Sequence, residues 1–121
     1  MSMFKDFNVT YVYVTDWEKA KKFYREVLEW PVFWSNDEVG WEEYGLENEA
    51  HLAINLWRGA DAPQKGGAIP VLTVDDPYHV TEALKAKGVK VSEVVHIPGV
   101  VTYGAFFDPE GNQIQFAGGQ M

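Results

Sequence analysis

The stretch Asp108-Pro109-Glu110-Gly111-Asn112-Gln113-Ile114-Gln115-Phe116 decides the fold of this chain. An aspartate that can cap a turn, a proline that presets φ and a glycine that tolerates the left-handed conformation together predict a tight hairpin turn with a bulge. β-branched and aromatic residues predominate at positions 101–107, and residues 113–117 alternate polar and apolar at a period of two. Strands are therefore predicted on both sides of the turn, with Gln115 on the polar face of the second one.

The same pattern occurs twice along the chain. Sixty residues before Gln115 lies Asn55, in a similar alternating strand, and sixty residues before Asp76 lies Asp16. Each aspartate follows an alternating apolar strand and precedes apolar residues at helical spacing, so Asp16 is expected to cap the first helix and Asp75 or Asp76 the second. The chain is therefore predicted to consist of two half-chains, each with the order strand, helix and three strands (βαβββ).

Turn and breaker residues predict the element boundaries. The expected strands are 7–15, 31–36, 40–46 and 51–57 in the first half, and 68–74, 89–96, 101–107 and 112–117 in the second. The first helix should end at Pro31 and the second at Gly88. We expect one domain, residues 1–121, made of repeats 5–57 and 67–117 and joined by a linker rich in Gly, Pro and Ala at 58–66.

Apolar periodicity predicts which side of each helix faces a sheet. On the first helix the inward stripe is expected to comprise Trp17, Ala20, Phe23, Tyr24, Val27 and Leu28. Its expected solvent-facing residues are Lys19, Lys21, Lys22, Arg25 and Glu26. On the second helix the inward stripe is expected to comprise Val80, Ala83, Leu84 and Lys87.

Composition restricts the classes of function. The chain carries 10 Lys and Arg against 18 Asp and Glu, a net charge of −8, which disfavours binding to nucleic acid or to an anionic membrane. No apolar run approaches the roughly 20 residues that span a bilayer, and the N-terminus lacks the long apolar segment of a secretory signal. With 46% hydrophobic residues and no cysteine, the chain is expected to be a cytoplasmic globular protein without disulfides or cysteine nucleophiles.

Two segments resemble a known family. They are Val14-Thr15-Asp16 followed by Lys19-Ala20, Phe23-Tyr24 and Val27-Leu28, and Phe106-Phe107-Asp108-Pro109-Glu110-Gly111-Asn112 followed by Ile114. Together they resemble the vicinal oxygen chelate superfamily, which includes glyoxalase I, extradiol dioxygenases, and the fosfomycin and bleomycin resistance proteins. The resemblance covers nearly the whole chain and implies an α+β fold of two βαβββ modules whose sheets curve around a shared cleft, with a homodimer as the usual assembly. Function must still be argued from the residues of the site, because one fold hosts many chemistries.

Metal-dependent members of this superfamily have four ligands, which the resemblance places at Val9, Asn55, Ile69 and Gln115. Val and Ile have no lone pair and a neutral amide is a weak ligand, so this set cannot hold a divalent ion. We therefore expect no metal cofactor at the usual position. A rearranged metal site built from Glu43, His51, Asn55 and Gln115 is the alternative, since His79 and His96 are expected near the start of a helix and near a loop.

The polar face of the strands predicts a site for a small molecule. By period-two alternation, the face that carries Asn55 and Gln115 also carries aromatic rings. We predict that it binds a ligand through Tyr11, Tyr13, Trp41, Glu43, Asn55, Trp57, Tyr103, Phe107 and Gln115. Apolar walls with a few directional polar groups are typical of ligand pockets. The alternative is that these rings only fill the cleft or pack against a partner chain.

Residues 35–49 contain six acids and no Lys or Arg, beside Trp41 and Tyr44. Acidic and aromatic residues together can receive a flat cation, and the segment resembles the acidic, metal-free groove of bleomycin resistance proteins. The alternative is a charged sheet edge that opposes aggregation.

Three classes of function follow from these observations. The first is a metal-free protein that binds an aromatic or cationic small molecule. The second is a metal-dependent lyase, isomerase or dioxygenase with a rearranged site, and the third is a structural or interaction module. No phosphate-binding glycine loop, nucleophile elbow or His-Glu-x-x-His motif occurs, so no catalytic residue is assigned.

Overall fold

Two aspartates start the helices of this protein. In the computed structural model, which describes residue 3 and residues 8–62 and 69–118, the Asp16 carboxylate accepts a hydrogen bond of 3.2 Å from the Lys19 backbone N–H. The Asp76 carboxylate accepts one of 3.0 Å from the Tyr78 N–H. Each bond satisfies a backbone donor that has no partner within the first helical turn, so both residues are N-caps, as predicted.

The described residues fall into two compact units, which divide between residues 65 and 66. The first unit contains strands β1 (Val9–Val14), β2 (Val32–Asn36), β3 (Trp41–Tyr44) and β4 (His51–Leu56) in the sheet order β1-β4-β3-β2. β1 and β4 are parallel and the other pairs are antiparallel. The four predicted strands, 7–15, 31–36, 40–46 and 51–57, thus exist with shorter bounds. Residue 7 lies outside the described residues.

The first helix changes its winding halfway along. Helix α1 covers Trp17–Lys22, and the chain then continues as a π-helical turn over Phe23–Val27. The backbone N–H of Leu28 donates to the carbonyl of Phe23 at 3.0 Å, which is the i→i−5 spacing of a π-helix. Glu29 then adopts φ 55°, so the helical segment ends before the predicted stop at Pro31.

One face of the first sheet packs against this helical segment. Tyr24 is fully buried and stacks on the buried Tyr44 of β3 with ring centroids 5.3 Å apart. Val14, Leu52 and Ile54 are buried on the same side of the sheet. Burial of a large apolar side chain contributes about 1.5–3 kcal/mol, so this face provides the core of the first unit.

Two side chains predicted to face water make contacts within the first unit instead. Lys21 is only 8% exposed and donates to Asp37 at 3.0 Å. Arg25 remains partly exposed, but its guanidinium bonds the completely buried Glu42. Apolar periodicity reports neither contact, because Asp37 lies in the turn after β2, Glu42 lies on β3, and Arg25 lies within the π-helical turn.

The second unit contains β5 (Val71–Val74), helix α2 (Pro77–Ala86), β6 (Lys90–Val91), β7 (Val95–Ile97), β8 (Val101–Phe107) and β9 (Gln113–Gly118). The sheet order is β5-β9-β8-β6, with β7 also paired to β8. The prediction of one strand at 89–96 is wrong. The backbone N–H of Ala105 bonds the Ser92 hydroxyl at 2.9 Å, so a side chain replaces a backbone carbonyl there and interrupts the ladder.

The inward stripe of α2 differs from the prediction. Pro77, Thr81 and Leu84 are buried, whereas the predicted Ala83 and Lys87 are exposed. Thr81 can be buried because its hydroxyl donates to the Pro77 carbonyl at 2.8 Å. The helix ends before Gly88, which adopts φ +80° as expected of a C-terminal glycine.

The turn at 108–112 has the predicted chemistry. One oxygen of the Asp108 carboxylate accepts from the backbone N–H groups of Glu110 and Asn112 at 2.9 and 2.8 Å. The other accepts from the Asn112 side-chain amide at 2.8 Å, and Gly111 adopts φ +85°. The protein is therefore a mixed α+β structure with two sheets and few helices, which confirms the predicted fold class. Among the residues described, no helix is both long and apolar enough to cross a bilayer.

Candidate functional site

The first sheet carries a row of aromatic side chains on the face opposite to the helix. Strand register places Tyr11 and Tyr13 of β1 across from Ala53 and Asn55 of β4, and Trp41 of β3 also across from Asn55. Glu43 is across from Ala53, and Trp57 follows β4 directly. We call this surface the aromatic face and define it by Tyr11, Tyr13, Trp41, Glu43, Asn55 and Trp57.

The rings of the aromatic face form one continuous row. Tyr11 lies 5.2 Å from Trp41 and 5.4 Å from Tyr13, and Tyr13 lies 5.0 Å from Trp57, measured between ring centroids. The pairs are tilted or edge-to-face, the arrangements that the ring quadrupole favours. Tyr11 is 43% exposed although it contacts a ring on either side. The row therefore presents apolar ring surface that another flat group could cover.

The two tyrosine hydroxyls lie 3.4 Å apart. The hydrogen bond with the Tyr11 hydroxyl, followed by the charge that Tyr11 would carry, raises the pKa of Tyr13 above its usual value near 10. The Tyr13 hydroxyl therefore remains neutral at physiological pH. It can act as a hydrogen-bond donor or acceptor towards a ligand, but not as an anion.

Glu43 is the carboxylate of the aromatic face, and both of its oxygens have partners. Oε1 accepts from the Trp41 indole Nε1 at 3.0 Å, and Oε2 lies 2.5 Å from His51 Nδ1. The other ring nitrogen, His51 Nε2, lies 2.7 Å from the Leu46 carbonyl oxygen. The bond to Leu46, then the one to Glu43, raises the pKa of His51, although burial acts in the opposite direction.

The His51 ring is enclosed on two further sides. The Phe33 ring lies 4.3 Å from it between centroids. A Cβ on Gly45 would come within 2.5 Å of His51 Cδ2, and Gly45 also has φ +133°, so only glycine fits there. With its side chain 8% exposed, His51 is held in one position beside Glu43.

Among the described residues of this unit, His51 is not available as a metal ligand. His51 uses both ring nitrogens in hydrogen bonds, so neither has a free lone pair. Val9, the family ligand position of β1, pairs with His51 in the sheet and has no donor atom. In the second unit His96 Nδ1 bonds the Thr102 hydroxyl at 2.7 Å, and His79 is exposed on α2. Within 8–62 and 69–118, no group of three or more His, Asp or Glu is arranged to hold a metal.

A buried polar cluster, which the sequence analysis missed, lies on the opposite face of the same sheet. The Glu42 side chain is completely buried and accepts hydrogen bonds from Arg25 Nε at 2.8 Å, Ser35 Oγ at 2.6 Å and the Tyr44 hydroxyl at 2.5 Å. Burial alone would raise the pKa of Glu42, but the bonds from Arg25, Ser35 and Tyr44 outweigh it and lower the pKa. Burial followed by the bond to Glu42 raises the pKa of Tyr44. The sequence did contain a signal for the burial of Glu42, because Glu42 and the buried Tyr44 are two residues apart in one strand and therefore lie on the same face.

The acidic segment 35–49 is consequently less open than its composition indicates. Glu42 points away from the aromatic face, and Glu43 is bound to Trp41 and His51. Asp37 accepts from the Trp17 indole at 2.9 Å and from Lys21 at 3.0 Å, and these two bonds lower its pKa. These three acids are thus bonded to side chains, and Glu49 accepts from the Leu46 backbone N–H, so four of the six acids have partners within the first unit.

Trp57 also holds the residues that follow it. Its indole Nε1 donates to the Asp61 carbonyl at 2.5 Å, and a Cβ on Gly59 would lie within 2.8 Å of the ring. Arg58 donates to the Glu38 carbonyl at 2.7 Å. The beginning of the predicted linker 58–66 therefore packs on the first unit, while residues 63–66 lie outside the described part of the chain.

The remaining candidate residues lie on one face of the second sheet. Gln115 of β9 pairs with Val71 and Ala105, and Tyr103 of β8 pairs with Val95. Phe107 has the same parity, and Lys90 Nζ lies 5.1 Å from its ring centroid. Ile69 lies before β5 and is 40% exposed. Tyr103, Phe107 and Gln115 are half-buried, and their role in binding stays a prediction.

Comparisons with known proteins give the family. The model of the Glyoxalase/Bleomycin resistance protein/Dioxygenase superfamily matches residues 6–116. The chain therefore belongs to this superfamily, as the sequence resemblance predicted. No curated protein sequence matches the chain significantly.

Solved structures share the fold at low sequence identity. A glyoxalase family protein from Bacillus anthracis is 18% identical, with a TM-score of 0.80 and 99% of both chains covered. TnmS3, an antibiotic binding protein from Streptomyces sp. CB03234, is 24% identical, with a TM-score of 0.80, and covers 99% of this chain and 100% of its own. A glyoxalase/bleomycin resistance protein from the same strain is 26% identical, with a TM-score of 0.72, over 92% of this chain and 98% of its own.

Proposed function

We propose that this protein binds a small planar aromatic molecule without a metal, and that the ligand lies against the aromatic face. The observation that supports this proposal is the row Trp41, Tyr11, Tyr13 and Trp57, with centroid spacings of 5.0 to 5.4 Å and an exposed Tyr11. A flat ring laid on such a row buries apolar area and adds ring contacts of about 0.5–1.5 kcal/mol each.

The polar groups of the face are few and directional. The Asn55 amide is half-buried at the centre of the sheet, between Tyr13 and Trp41. It can donate and accept hydrogen bonds, and the hydroxyls of Tyr11 and Tyr13 can do the same. Apolar walls with a small number of such groups are the common composition of ligand sites.

We propose binding without a metal because the residues present offer few atoms that can act as metal ligands. Valine and isoleucine occupy two of the four family ligand positions, and both nitrogens of His51 are already bonded. A divalent ion prefers imidazole or carboxylate donors with free lone pairs. We therefore propose binding rather than the metal-dependent lyase, isomerase or dioxygenase chemistry found elsewhere in the superfamily.

The fold neighbours are compatible with this proposal. TnmS3 is described as an antibiotic binding protein, so this fold can serve to bind a small molecule. An antibiotic with a flat aromatic ring system is accordingly a suitable first class of compound. A homodimer and a cytoplasmic location stay predictions.

A thermal-shift screen tests the proposal. Aromatic compounds and divalent metals are each added alone and together, because a ligand that binds only the folded chain raises the unfolding midpoint by mass action. We expect shifts with planar aromatic compounds and no requirement for metal. A shift that appears only when metal is present would contradict the proposal and favour the enzymatic reading.

Matched variants then locate the ligand. Tyr11→Ala and Trp41→Ala should each weaken a compound from the screen by roughly thirtyfold, since removal of a packed ring costs on the order of 2 kcal/mol at a binding hot spot. Tyr78→Ala is the control, because Tyr78 is 54% exposed on α2 in the second unit. Equal effects of all three variants would place the ligand elsewhere.

A further inference from the structure

We propose that the aromatic face selects an uncharged aromatic ligand over a cationic one, because His51 cancels the charge of Glu43. This inference rests on the proposed function and names its class of ligand. It also departs from the expectation that the acidic segment would attract a cation. The contacts of Glu43 and His51 carry the argument.

The hydrogen bonds of this pair fix its total charge. A carbonyl oxygen only accepts, so His51 Nε2, at 2.7 Å from the Leu46 carbonyl, carries a hydrogen. Nδ1 and Glu43 Oε2, at 2.5 Å, need a second proton between them, because two lone pairs at this distance would repel. Whether that proton belongs to the ring or to the carboxyl group, histidine and glutamate together are neutral.

The second oxygen of Glu43 is also occupied. Oε1 accepts from the Trp41 indole at 3.0 Å, and the Glu43 side chain is only 14% exposed. A cationic ligand would have to compete with Trp41 and His51 for this carboxylate. The other polar groups of the face are the neutral Asn55 amide and the tyrosine hydroxyls.

The other groups around His51 do not change the net charge of the pair formed by Glu43 and His51. β3 contributes Glu43, β2 contributes the uncharged Phe33, and Val9 of β1 lies opposite in the register. The loop after β3 contributes the Leu46 carbonyl and Glu49. Glu49 is exposed and accepts from the Leu46 backbone N–H at 2.9 Å, so solvent screens its charge.

The loss of hydration on binding favours the neutral ligand. A cation over a tyrosine or tryptophan ring gains a modest attraction, but it also loses part of its hydration, and no carboxylate without a partner is present to replace that hydration. A neutral ring keeps the apolar gain and loses little hydration. A face without a free carboxylate therefore disfavours the cation despite the net charge of −8 of the chain.

The test compares two probes with the same ring system that do not titrate, 9-anthracenemethanol and (9-anthrylmethyl)trimethylammonium. Fluorescence titration at about pH 6.5, the reference pKa of histidine, should give at least tenfold tighter binding of the neutral probe. Equal or tighter binding of the cation would overturn the inference. Failure of both probes to bind, or binding that Tyr11→Ala leaves unchanged, would instead overturn the proposed function.

A change of charge at the pair gives a second measurement. His51→Gln keeps a side chain that can hydrogen-bond but carries no charge, so the Glu43 carboxylate becomes unbalanced. The ratio of the two affinities should then change about fivefold in favour of the cation. Two opposite charges 4 Å apart in water attract each other by about 1 kcal/mol, which corresponds to that factor. An unchanged ratio in the folded variant would contradict the role of His51.

The wild-type protein gives the same measurement if that variant does not fold. Raising the pH to about 9 takes His51 towards its neutral form, since its pKa starts from about 6.5 and is raised by the bonds to Leu46 and Glu43. The affinity for the cation should then rise relative to the affinity for the neutral probe. Glu43→Gln removes the carboxylate that would carry the unbalanced charge, so this variant should show no such dependence on pH. A dependence that persists in Glu43→Gln would overturn the inference.

Discussion

Arg25 donates hydrogen bonds to both carboxylate oxygens of Glu42, a side chain that is completely buried beneath the first sheet. The Arg25 side chain itself remains 43% exposed. The pair therefore connects the solvent side of the helical segment with the interior of the unit. Without Arg25, the buried Glu42 carboxylate would lack a partner of opposite charge. This unpaired charge determines the free-energy cost of breaking the pair.

Removal of Arg25 should be strongly destabilising. Arg25→Met keeps much of the aliphatic stem but leaves the Glu42 charge unpaired, and we expect a loss of about 3 kcal/mol in the free energy of unfolding. Urea denaturation measures it. Lys22→Met, an exposed change on the same helical segment, should cost less than about 0.5 kcal/mol. In the Arg25→Met background, Glu42→Gln should cost less than in the wild type, and simple additivity of the two would contradict the pairing.

The contribution of His51 to stability should depend on pH in a defined direction. The Leu46 carbonyl and then Glu43 raise its folded-state pKa, so the contribution is complete below the unfolded value of about 6.5 and is lost as pH rises through the raised pKa. The difference in unfolding free energy between wild type and His51→Gln should therefore shrink as the pH rises through that range. Denaturation at a series of pH values measures this. His79→Gln, an exposed change on α2, should not reproduce it.

Loss of the turn carboxylate should destabilise the second unit. Asp108 is 5% exposed and accepts three hydrogen bonds, from Glu110 and twice from Asn112. Asp108→Ala leaves the buried donors of Asn112 unsatisfied, so we expect a loss of about 2–3 kcal/mol in denaturation experiments. Glu93→Ala, at an exposed position of the same unit, serves as the control. Similar losses in both variants would show that the turn is not special.

Trp57→Ala and Tyr103→Ala test the two sheets one at a time. Each should weaken a compound from the screen by roughly thirtyfold if its ring contacts the ligand. Isothermal titration calorimetry measures the affinity, and circular dichroism checks that each variant is folded. An effect of Trp57→Ala without one of Tyr103→Ala would confine the ligand to the aromatic face. No effect of either would contradict the predicted site.

Features with a local cause could be predicted from the sequence. Asp16, Asp76 and the turn at 108–112 follow from capping and turn chemistry, which involves residues a few positions apart. The common face of Tyr11 and Tyr13 follows from the period of two within one strand. These rules need no knowledge of the neighbouring elements.

The contacts of Arg25 could not be predicted in this way. A helix turns by about 100° per residue, so the wider π-helical turn rotates every later side chain relative to the stripe expected for an α-helix. The sequence around Phe23–Val27 gives no signal of that change. Strand parity with Tyr44 indicates that Glu42 faces the core, but its partner Arg25 is known only from the structure.

The contact between Glu43 and His51 could not be predicted for a similar reason. Glu43 and His51 lie on neighbouring strands, and their contact depends on the register of β3 and β4 and on the loop that brings the Leu46 carbonyl to the ring. Parity placed both residues on one face but could not show that they neutralise each other. Side-chain pairing across strands requires the three-dimensional structure.

The packing of Trp57 against Gly59 has an evolutionary consequence. The indole ring lies 5.0 Å from the Tyr13 ring between centroids, donates from Nε1 to the Asp61 carbonyl and lies close to the Gly59 backbone. A replacement of this tryptophan must therefore satisfy both the aromatic row and the segment that follows it. A larger residue at Gly59 would instead push the ring from behind, so we expect natural variation at this glycine to alter ligand preference in related proteins without changing any residue that touches the ligand.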